Sequence, residues 1–176
     1  TNSAWISISL FGSLPFLFSN LSLNFIDAFF ESTSGITTTG STIIANLEQV
    51  SYGILLWRAL LQWLGGIGII VMAVAILPML SIGGMQLFKT ESYETPDKII
   101  PRAAIFASGI SIVYIILTSV WALMLWLAGM PIFDSITHAM TTLATGGYST
   151  KSESLGAFNS VNIEMIIVFG LSLIHI

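Results

Sequence analysis

Two short runs of threonine, glycine and serine carry the groups best suited to chemistry in this chain. The first is Thr38-Thr39-Gly40-Ser41, and the second is Thr145-Gly146-Gly147-Tyr148. Rings of backbone carbonyls can replace the hydration shell of a weakly hydrated monovalent cation. Glycine permits the backbone angles that turn successive carbonyls the same way, and threonine hydroxyls would add oxygen ligands. The two runs, called here the first and second Thr/Gly segments, therefore predict a cation selectivity filter.

A short helix is predicted before each Thr/Gly segment. Asp27 and Asp134 stand where an N-cap residue would precede an apolar-periodic stretch. From Asp27 to Thr37 the chain has 11 residues, or about 16 Å of helix, which is about half of a hydrocarbon core. The partially negative C-terminal end of such a helix would favour a cation at the membrane centre. Irregular backbone is tolerated at that depth where it lines a water-filled path or is buried in protein.

The two hairpins repeat one another at a fixed spacing. Asp134 follows Asp27 by 107 positions, and the same offset relates Thr38 to Thr145 and Gly40 to Gly147. The apolar positions and the flanking helices keep this offset, so one structural unit is used twice. The alternative is a pair of glycine- and threonine-rich surface turns, which does not explain why the same turn follows the same short helix twice.

The composition indicates that lipid is the solvent over much of the surface. Charged residues make up 8% of the chain and hydrophobic residues 55%, whereas an average soluble domain is about 25% charged. The absence of cysteine excludes disulfides and thiolate metal sites. The net charge of −4 and the lack of a basic run give no indication of nucleic acid. We expect no cofactor.

Four apolar stretches predict an all-α membrane protein with two helix–pore-loop–helix repeats. Residues 53–80 and 103–130 are long enough to span a bilayer, residues 1–26 should stop being helical near Ser19 after Pro15, and residues 161–176 form the last stretch. We expect a first repeat at 1–80, a charged linker at 81–102 and a second repeat at 103–176, with the first and last helices cut short.

Charge predicts the orientation in the membrane. The linker holds three of the five basic residues, Lys89, Lys98 and Arg102, and short loops rich in lysine and arginine stay in the cytoplasm. Residues 20–52 and 131–160 would then lie on the outer side.

Other polar residues have structural interpretations first. Arg58, one turn into a spanning helix, should reach the outer headgroups, although a functional pairing is the alternative. Glu31 and His138 occupy matching places on the two short helices, where they would brace those helices or attract cations. Glu164 should be interfacial.

Three glycines after Arg58 resemble a phosphate loop only superficially. No strand precedes them and they lie inside an apolar span, so Gly65, Gly66 and Gly68 predict close helix packing.

Two other classes of protein, an intramembrane protease and a secondary transporter, are alternatives. Ser34 and His138 would be the residues of an intramembrane serine protease, but Ser34 lacks the glycine pattern of such enzymes. A secondary transporter with broken helices would favour an unrepeated hairpin or paired carboxylates at the midplane. The sequence shows neither, so we predict no enzymatic activity.

The chain resembles the Trk/Ktr/HKT superfamily, and most closely the membrane subunits of bacterial Trk potassium-uptake systems. Besides the two Thr/Gly segments, the resemblance lies in FLFS at 16–19, WRALLQWLGGIG at 57–68, GGMQLF at 83–88 and LAGMPIFD at 127–134. It implies that Gly40 and Gly147 are filter glycines, with potassium held by the carbonyls around them. Thr145 stands where a bulkier aliphatic residue is expected, and Tyr148 where phenylalanine is usual.

The resemblance also implies an assembly. The family fold has four helix–pore-loop–helix repeats of the potassium-channel-like type around one pseudo-fourfold pore, so two repeats alone should not conduct. It implies a homodimer, a gating loop in a later repeat, a cytosolic nucleotide-binding regulatory subunit and a place in the bacterial cytoplasmic membrane. A sodium-permeable relative is the alternative within the superfamily, but serine in the first loop is the pattern associated with sodium, and glycine at both filter positions favours potassium.

Overall fold

The computed structural model describes the backbone of residues 2–76 and 99–175 and the side chains of 3–72 and 107–172. Within these ranges the chain is helical and has no β-strand. Its six α-helices are α1 (Asn2–Leu17), α2 (Phe25–Ile36), α3 (Tyr52–Ile76), α4 (Ile99–Leu127), α5 (Ile132–Leu143) and α6 (Val161–His175), with short 3-10 helices at Leu47–Gln49 and Ser154–Phe158.

The two longest helices have the length and composition of membrane spans. Tyr52–Met72 of α3 has a mean hydropathy of 1.8, and Ala107–Leu127 of α4 has one of 2.2. On α4, Ile112, Leu123 and Trp126 point outward and are half exposed or more. A helix with a large outward apolar face is suited to lipid rather than water.

The outer helices are shorter and are also apolar. The apolar parts of α1 and α6 are Ser3–Leu17 and Val161–Ser172. Helix α1 contains Pro15 and ends at Leu17, where the Ser19 hydroxyl donates to the Phe16 carbonyl at 2.6 Å. The predicted end of the first helix near Ser19 is therefore confirmed to within two residues.

The two short helices are held between the long ones. Helix α2 packs against α1 and α3, and α5 packs against α3, α4 and α6. Each has 12 residues, or about 18 Å of helix. Because α3 contacts both short helices, it is the element that fixes their relative position.

The predicted N-caps are wrong by three residues. Helix α2 begins at Phe25, and its N-cap is Asn24, whose side chain accepts from the Asp27 amide at 2.8 Å. Helix α5 has Pro131 at its N-cap, and the proline side chain has no acceptor that could cap the helix. Asp27 and Asp134 lie instead in the first helical turn, where a carboxylate still interacts favourably with the helix dipole.

The backbone after each short helix repeats with the same offset as the sequence. Thr38 and Thr145 have φ of 56° and 54°, and Gly40 and Gly147 have φ of 80° and 77°. The left-handed region is rare for a β-branched residue and costs free energy. Because both threonines adopt it, the backbone leaves the two short helices in the same conformation.

Matching hydrogen bonds end the two short helices. The donors and acceptors correspond pair by pair: Thr38 N to Gly35 O and Thr39 N to Ser34 O in the first hairpin, Thr145 N to Thr142 O and Gly146 N to Thr141 O in the second. This is the Schellman pattern, with threonine in the place that glycine usually takes.

Most of the predicted charged linker lies outside the described residues. Its last four residues, 99–102, belong to α4. The side chains of Lys89, Lys98 and Arg102 are not among those described, and the cytoplasmic placement of this loop stays a prediction.

Two of the three predicted packing glycines are close-packed. A Cβ on Gly65 would overlap the carbonyl of Ile36, and one on Gly66 would lie 2.9 Å from the Tyr114 hydroxyl. Gly68 differs, because a Cβ there would meet no described atom within 4 Å. The packing prediction is therefore confirmed for Gly65 and Gly66 and wrong for Gly68 within the described part of the chain.

This difference predicts opposite effects of two alanine substitutions. Gly65→Ala should lower the free energy of unfolding by about 1–3 kcal/mol, because α3 must move away from the end of α2. Gly68→Ala, the matched control, should leave it unchanged or raise it slightly, since alanine is the better helix former. Thermal unfolding of the purified protein in detergent measures both, and equal losses from the two variants would contradict the packing described here.

Candidate cation-binding segments

A buried ion pair joins α2 to α3. The Arg58 Nε atom lies 2.8 Å from Glu31 Oε1, and the two side chains are 1% and 0% exposed. The prediction that Arg58 reaches the outer headgroups is therefore wrong. Its guanidinium turns inward because Glu31 supplies the opposite charge, and a buried charge of this kind is stable only when it is paired and hydrogen-bonded.

The Glu31 carboxylate also holds the chain that follows the first Thr/Gly segment. It accepts hydrogen bonds from the Thr42 hydroxyl at 2.9 Å and from the Ile43 amide at 3.1 Å. The returning chain is thus attached to the middle of the short helix that precedes it.

His138 makes the corresponding attachment in the second hairpin. Its Nδ1 lies 2.8 Å from the Asp134 carbonyl, and its Nε2 lies 3.1 Å from the Ser149 hydroxyl. A carbonyl can only accept, so Nδ1 carries the hydrogen and Nε2 accepts from Ser149. Glu31 with Thr42 and His138 with Ser149 are both pairs 11 residues apart, which supports the bracing interpretation of these two ionisable groups.

Tyr148 links the second Thr/Gly segment to the first hairpin. Its side chain is 4% exposed, and its hydroxyl lies 2.9 Å from the Glu31 carbonyl and 3.2 Å from the Ser41 carbonyl. The Arg58 guanidinium lies over its ring, 4.0 Å from the centroid, a favourable cation–π geometry. Tyrosine in place of the expected phenylalanine thus adds a hydrogen bond between the two segments.

Arg58 contacts the second hairpin as well. Its Nη1 donates to the Ser149 carbonyl at 3.1 Å. One side chain of α3 therefore bonds to Glu31 before the first segment and to Ser149 after the second.

The two segments approach each other through glycine. A Cβ on Gly40 would overlap the Gly146 carbonyl oxygen, and a Cβ on Gly146 would overlap the side-chain amide of Gln62. Gln62 is fully buried, and its Oε1 accepts from the Tyr148 amide at 3.1 Å. Sequence reasoning missed Gln62. The sequence feature that could have indicated its role is a polar residue inside an apolar span, one turn after Arg58.

The backbone carbonyls of the segments fall into two groups. The Ser41 carbonyl accepts from the Ser34 hydroxyl at 2.6 Å and lies 3.2 Å from the Tyr148 hydroxyl, so it has a donor inside the protein. Among the described residues, no hydrogen bond is accepted by the carbonyl of Thr38, Thr39, Gly40, Thr145, Gly146, Gly147 or Tyr148. Seven carbonyls thus lack a protein donor, and Ser41 does not belong with them.

The protease alternative finds no support in the geometry. The Ser34 hydroxyl donates to the Ser41 carbonyl, and both ring nitrogens of His138 are engaged by Asp134 and Ser149. Ser34 and His138 are therefore not hydrogen-bonded to each other. The described side chains also contain no cluster of three or more His, Cys, Asp or Glu that could hold a metal.

An exposed clasp joins the outer loops of the two hairpins. The Ser152 hydroxyl donates to Glu48 at 2.6 Å, and the Ser152 amide donates to the same carboxylate at 2.9 Å. The Leu47 amide in turn donates to the Ser152 hydroxyl at 3.1 Å. The bond from the Ser152 side chain is the main reason that the pKa of Glu48 is lowered from 4.5 to about 2.

Comparison with known proteins agrees with this architecture. The family model "TrkH: Cation transport protein" matches residues 1–174. The chain is 48% identical over 158 residues to the Trk system potassium uptake protein TrkI of Halomonas elongata, covering 90% of this chain and 32% of that protein. It is 48% identical over 170 residues to the Trk system potassium uptake protein TrkH of Salmonella typhimurium, covering 95% and 35%.

A solved structure is similar as well. The crystal structure of the potassium transporter TrkH from Vibrio parahaemolyticus matches with a TM-score of 0.82 and 45% identity, covering 95% of this chain and 33% of that one. The helical fold and its paired hairpins define a membrane protein of the cation-transport class. The chain belongs to the TrkH family of cation transport proteins, and it spans about a third of the length of the curated relatives it matches.

The buried ion pair predicts a non-additive pair of substitutions. Arg58→Met should lower the free energy of unfolding by about 3–5 kcal/mol, because Glu31 is left as an unpaired buried charge. Adding Glu31→Gln should recover part of that loss, since the charge is then removed. Thermal unfolding of the single and double variants checks this, and simply additive losses would show that the pair is not coupled.

The outer clasp predicts a pH dependence. Because the folded pKa of Glu48 is depressed, the clasp stabilises the protein above pH 4.5, and this contribution is lost as pH falls from 4.5 towards 2. Ser152→Ala should therefore lower the melting temperature at about pH 7, with a difference from the parent that shrinks at about pH 3. Ser154→Ala, at an exposed serine nearby, is the control. A difference that is independent of pH would contradict the role of Glu48.

Proposed function

We propose that this chain forms part of a potassium-uptake protein of the bacterial cytoplasmic membrane, and that the two Thr/Gly segments line its ion path. Membership of the TrkH family and the potassium-uptake activity named for its relatives support potassium as the transported ion. Transport is a property of the whole protein, of which this chain corresponds to about a third.

One observation carries the proposal. Seven backbone carbonyls in two short segments have no hydrogen-bond donor among the described residues, although the hairpins around them are densely hydrogen-bonded. Unpaired carbonyls buried in an apolar protein cost free energy. They are stable where they face water or a cation that has shed its hydration shell.

The filter that we propose is narrower than the one expected from sequence. Its carbonyl donors are Thr38, Thr39 and Gly40 in the first segment and 145–148 in the second. Ser41 is left out because its carbonyl is bonded to Ser34 and Tyr148.

A ring of further units would complete the path. On α3, Arg58 and Gln62 are buried where they hold the second hairpin. The residues at the same offset on α6, Met165 and Phe169, are 63% and 60% exposed. We propose that a third unit of the same kind covers them and that a fourth closes the ring. We also propose the homodimer and the cytosolic nucleotide-binding subunit that the family resemblance implies.

Potassium is preferred over sodium within this proposal. Glycine occupies both filter positions, Gly40 and Gly147, and each has a φ that favours it. Serine in the first loop is the pattern associated with sodium transport in the resembling family, and this chain lacks it at Gly40.

The proposal is tested in a chimera in which these residues replace the matching third of a full-length relative. Expressed in cells without potassium uptake, the chimera should restore growth at low external potassium. Gly147→Ser should then lower the ratio of rubidium to sodium uptake by about tenfold, because a side chain at a positive φ disturbs the carbonyls around it.

Gly129→Ser is the matched control. Gly129 also has a positive φ, of 98°, but lies between α4 and α5 with no described atom near its Cβ position. It should leave the uptake ratio unchanged. A chimera that inserts but never restores growth would overturn the potassium assignment, and an unchanged ratio in Gly147→Ser would overturn the filter assignment.

A further inference from the structure

We propose that Gln62 is a positioning residue that holds the Gly147 carbonyl towards the ion. The inference rests on the proposed filter and extends it to a side chain outside both Thr/Gly segments. Gln62 belongs to α3 of the first unit, whereas Gly147 belongs to the second.

The orientation follows from the planarity of the peptide unit. The C=O of Gly147 and the N–H of Tyr148 belong to one peptide, and the described chain has no cis bond, so the two groups point in opposite directions. The Tyr148 N–H donates to Gln62 Oε1 at 3.1 Å, in the protein interior. The Gly147 carbonyl therefore points away from Gln62, towards the side on which Gly147 is exposed.

Other carbonyls of the segments are oriented by the short helices themselves. The Thr39 amide bonds to the Ser34 carbonyl, and the Gly146 amide bonds to the Thr141 carbonyl. By the same argument these bonds turn the carbonyls of Thr38 and Thr145 away from the helix ends. Gly147 lies too far along the chain for such a bond, so its peptide needs another acceptor, and Gln62 supplies it.

The Gln62 amide cannot exchange its two ends. The Tyr148 N–H is a donor, so only Oε1 can face it, and Nε2 must take the other side. Nε2 would lie 3.8 Å from a Cβ on Gly40, and it has no hydrogen-bond partner among the described residues. The side chain is therefore fixed in one orientation at the place where the two segments meet.

Glycine at 146 is explained by the same contact. Gly146 is not among the residues of positive φ, so its backbone does not require glycine. A Cβ at this position would instead overlap the Gln62 amide. Thr39, at the matching position of the first segment, keeps its Cβ and is exposed.

The test uses the rubidium-to-sodium uptake ratio of the chimera. Gln62→Met keeps the length of the side chain but removes the acceptor, and should lower the ratio by about tenfold, the equivalent of one lost hydrogen bond. Gln62→Glu keeps an oxygen for the Tyr148 N–H and should preserve the ratio to within about twofold. Gln49→Met makes the same change at an exposed position and should match the parent.

The ratio compares two fluxes through the same molecules, so it does not depend on how much protein is inserted. The inference is overturned if Gln62→Met has the ratio of Gln49→Met, or if Gln62→Met and Gln62→Glu lower it equally. Gly147→Ser separates this failure from failure of the proposed function. If Gly147→Ser lowers the ratio and Gln62→Met does not, the filter stands and the role of Gln62 is wrong.

Discussion

The arrangement of the two hairpins depends on one buried positive charge. Arg58 has no access to water, so its guanidinium must find partners inside the protein or destabilise it by several kcal/mol. It finds Glu31 on α2, the Ser149 carbonyl beyond the second segment and the face of the Tyr148 ring. Because these partners come from both hairpins, the guanidinium has all three of them only when the two segments lie side by side.

Irregular backbone in an apolar environment needs hydrogen-bond partners for its polar groups. In the two Thr/Gly segments some of these groups have a partner inside the protein and others do not. The amide N–H groups of Thr39, Gly146 and Tyr148 are bonded inward. So are the hydroxyls of Ser34, Thr42 and Ser149 and the Ser41 carbonyl. The remaining carbonyls of the segments are left without donors. Such a division is what a cation path requires, since acceptors face the ion while donors are kept away from it.

The helices and the repeat of the two hairpins could be predicted from the sequence, because the spacing of residues reflects backbone geometry. The four long helices, the two short ones and the offset of 107 are all local or periodic signals, and the structure repeats them in φ and hydrogen bonding. The contacts of Arg58 and Gln62 with the second hairpin were not predictable, because their partners Ser149 and Tyr148 lie 86 or more positions away along the chain. The N-cap predicted at Asp27 was misplaced because Asn24 offers the same kind of oxygen one turn earlier, and the one at Asp134 because α5 starts after Pro131 without a side-chain cap.

The three segment glycines show why symmetry in the backbone does not extend to the side chains. Glycine is needed at 147 because the backbone has a positive φ there. Gly40 also has a positive φ, and a Cβ on it would overlap the Gly146 carbonyl. At 146, glycine is needed only because the Gln62 side chain fills the adjacent space. At the three positions where both units would supply a carbonyl, 38–40 and 145–147, the backbones must match. The side chains behind them meet different neighbours, so a glycine in one segment can correspond to a threonine in the other without any change in what the ion would contact.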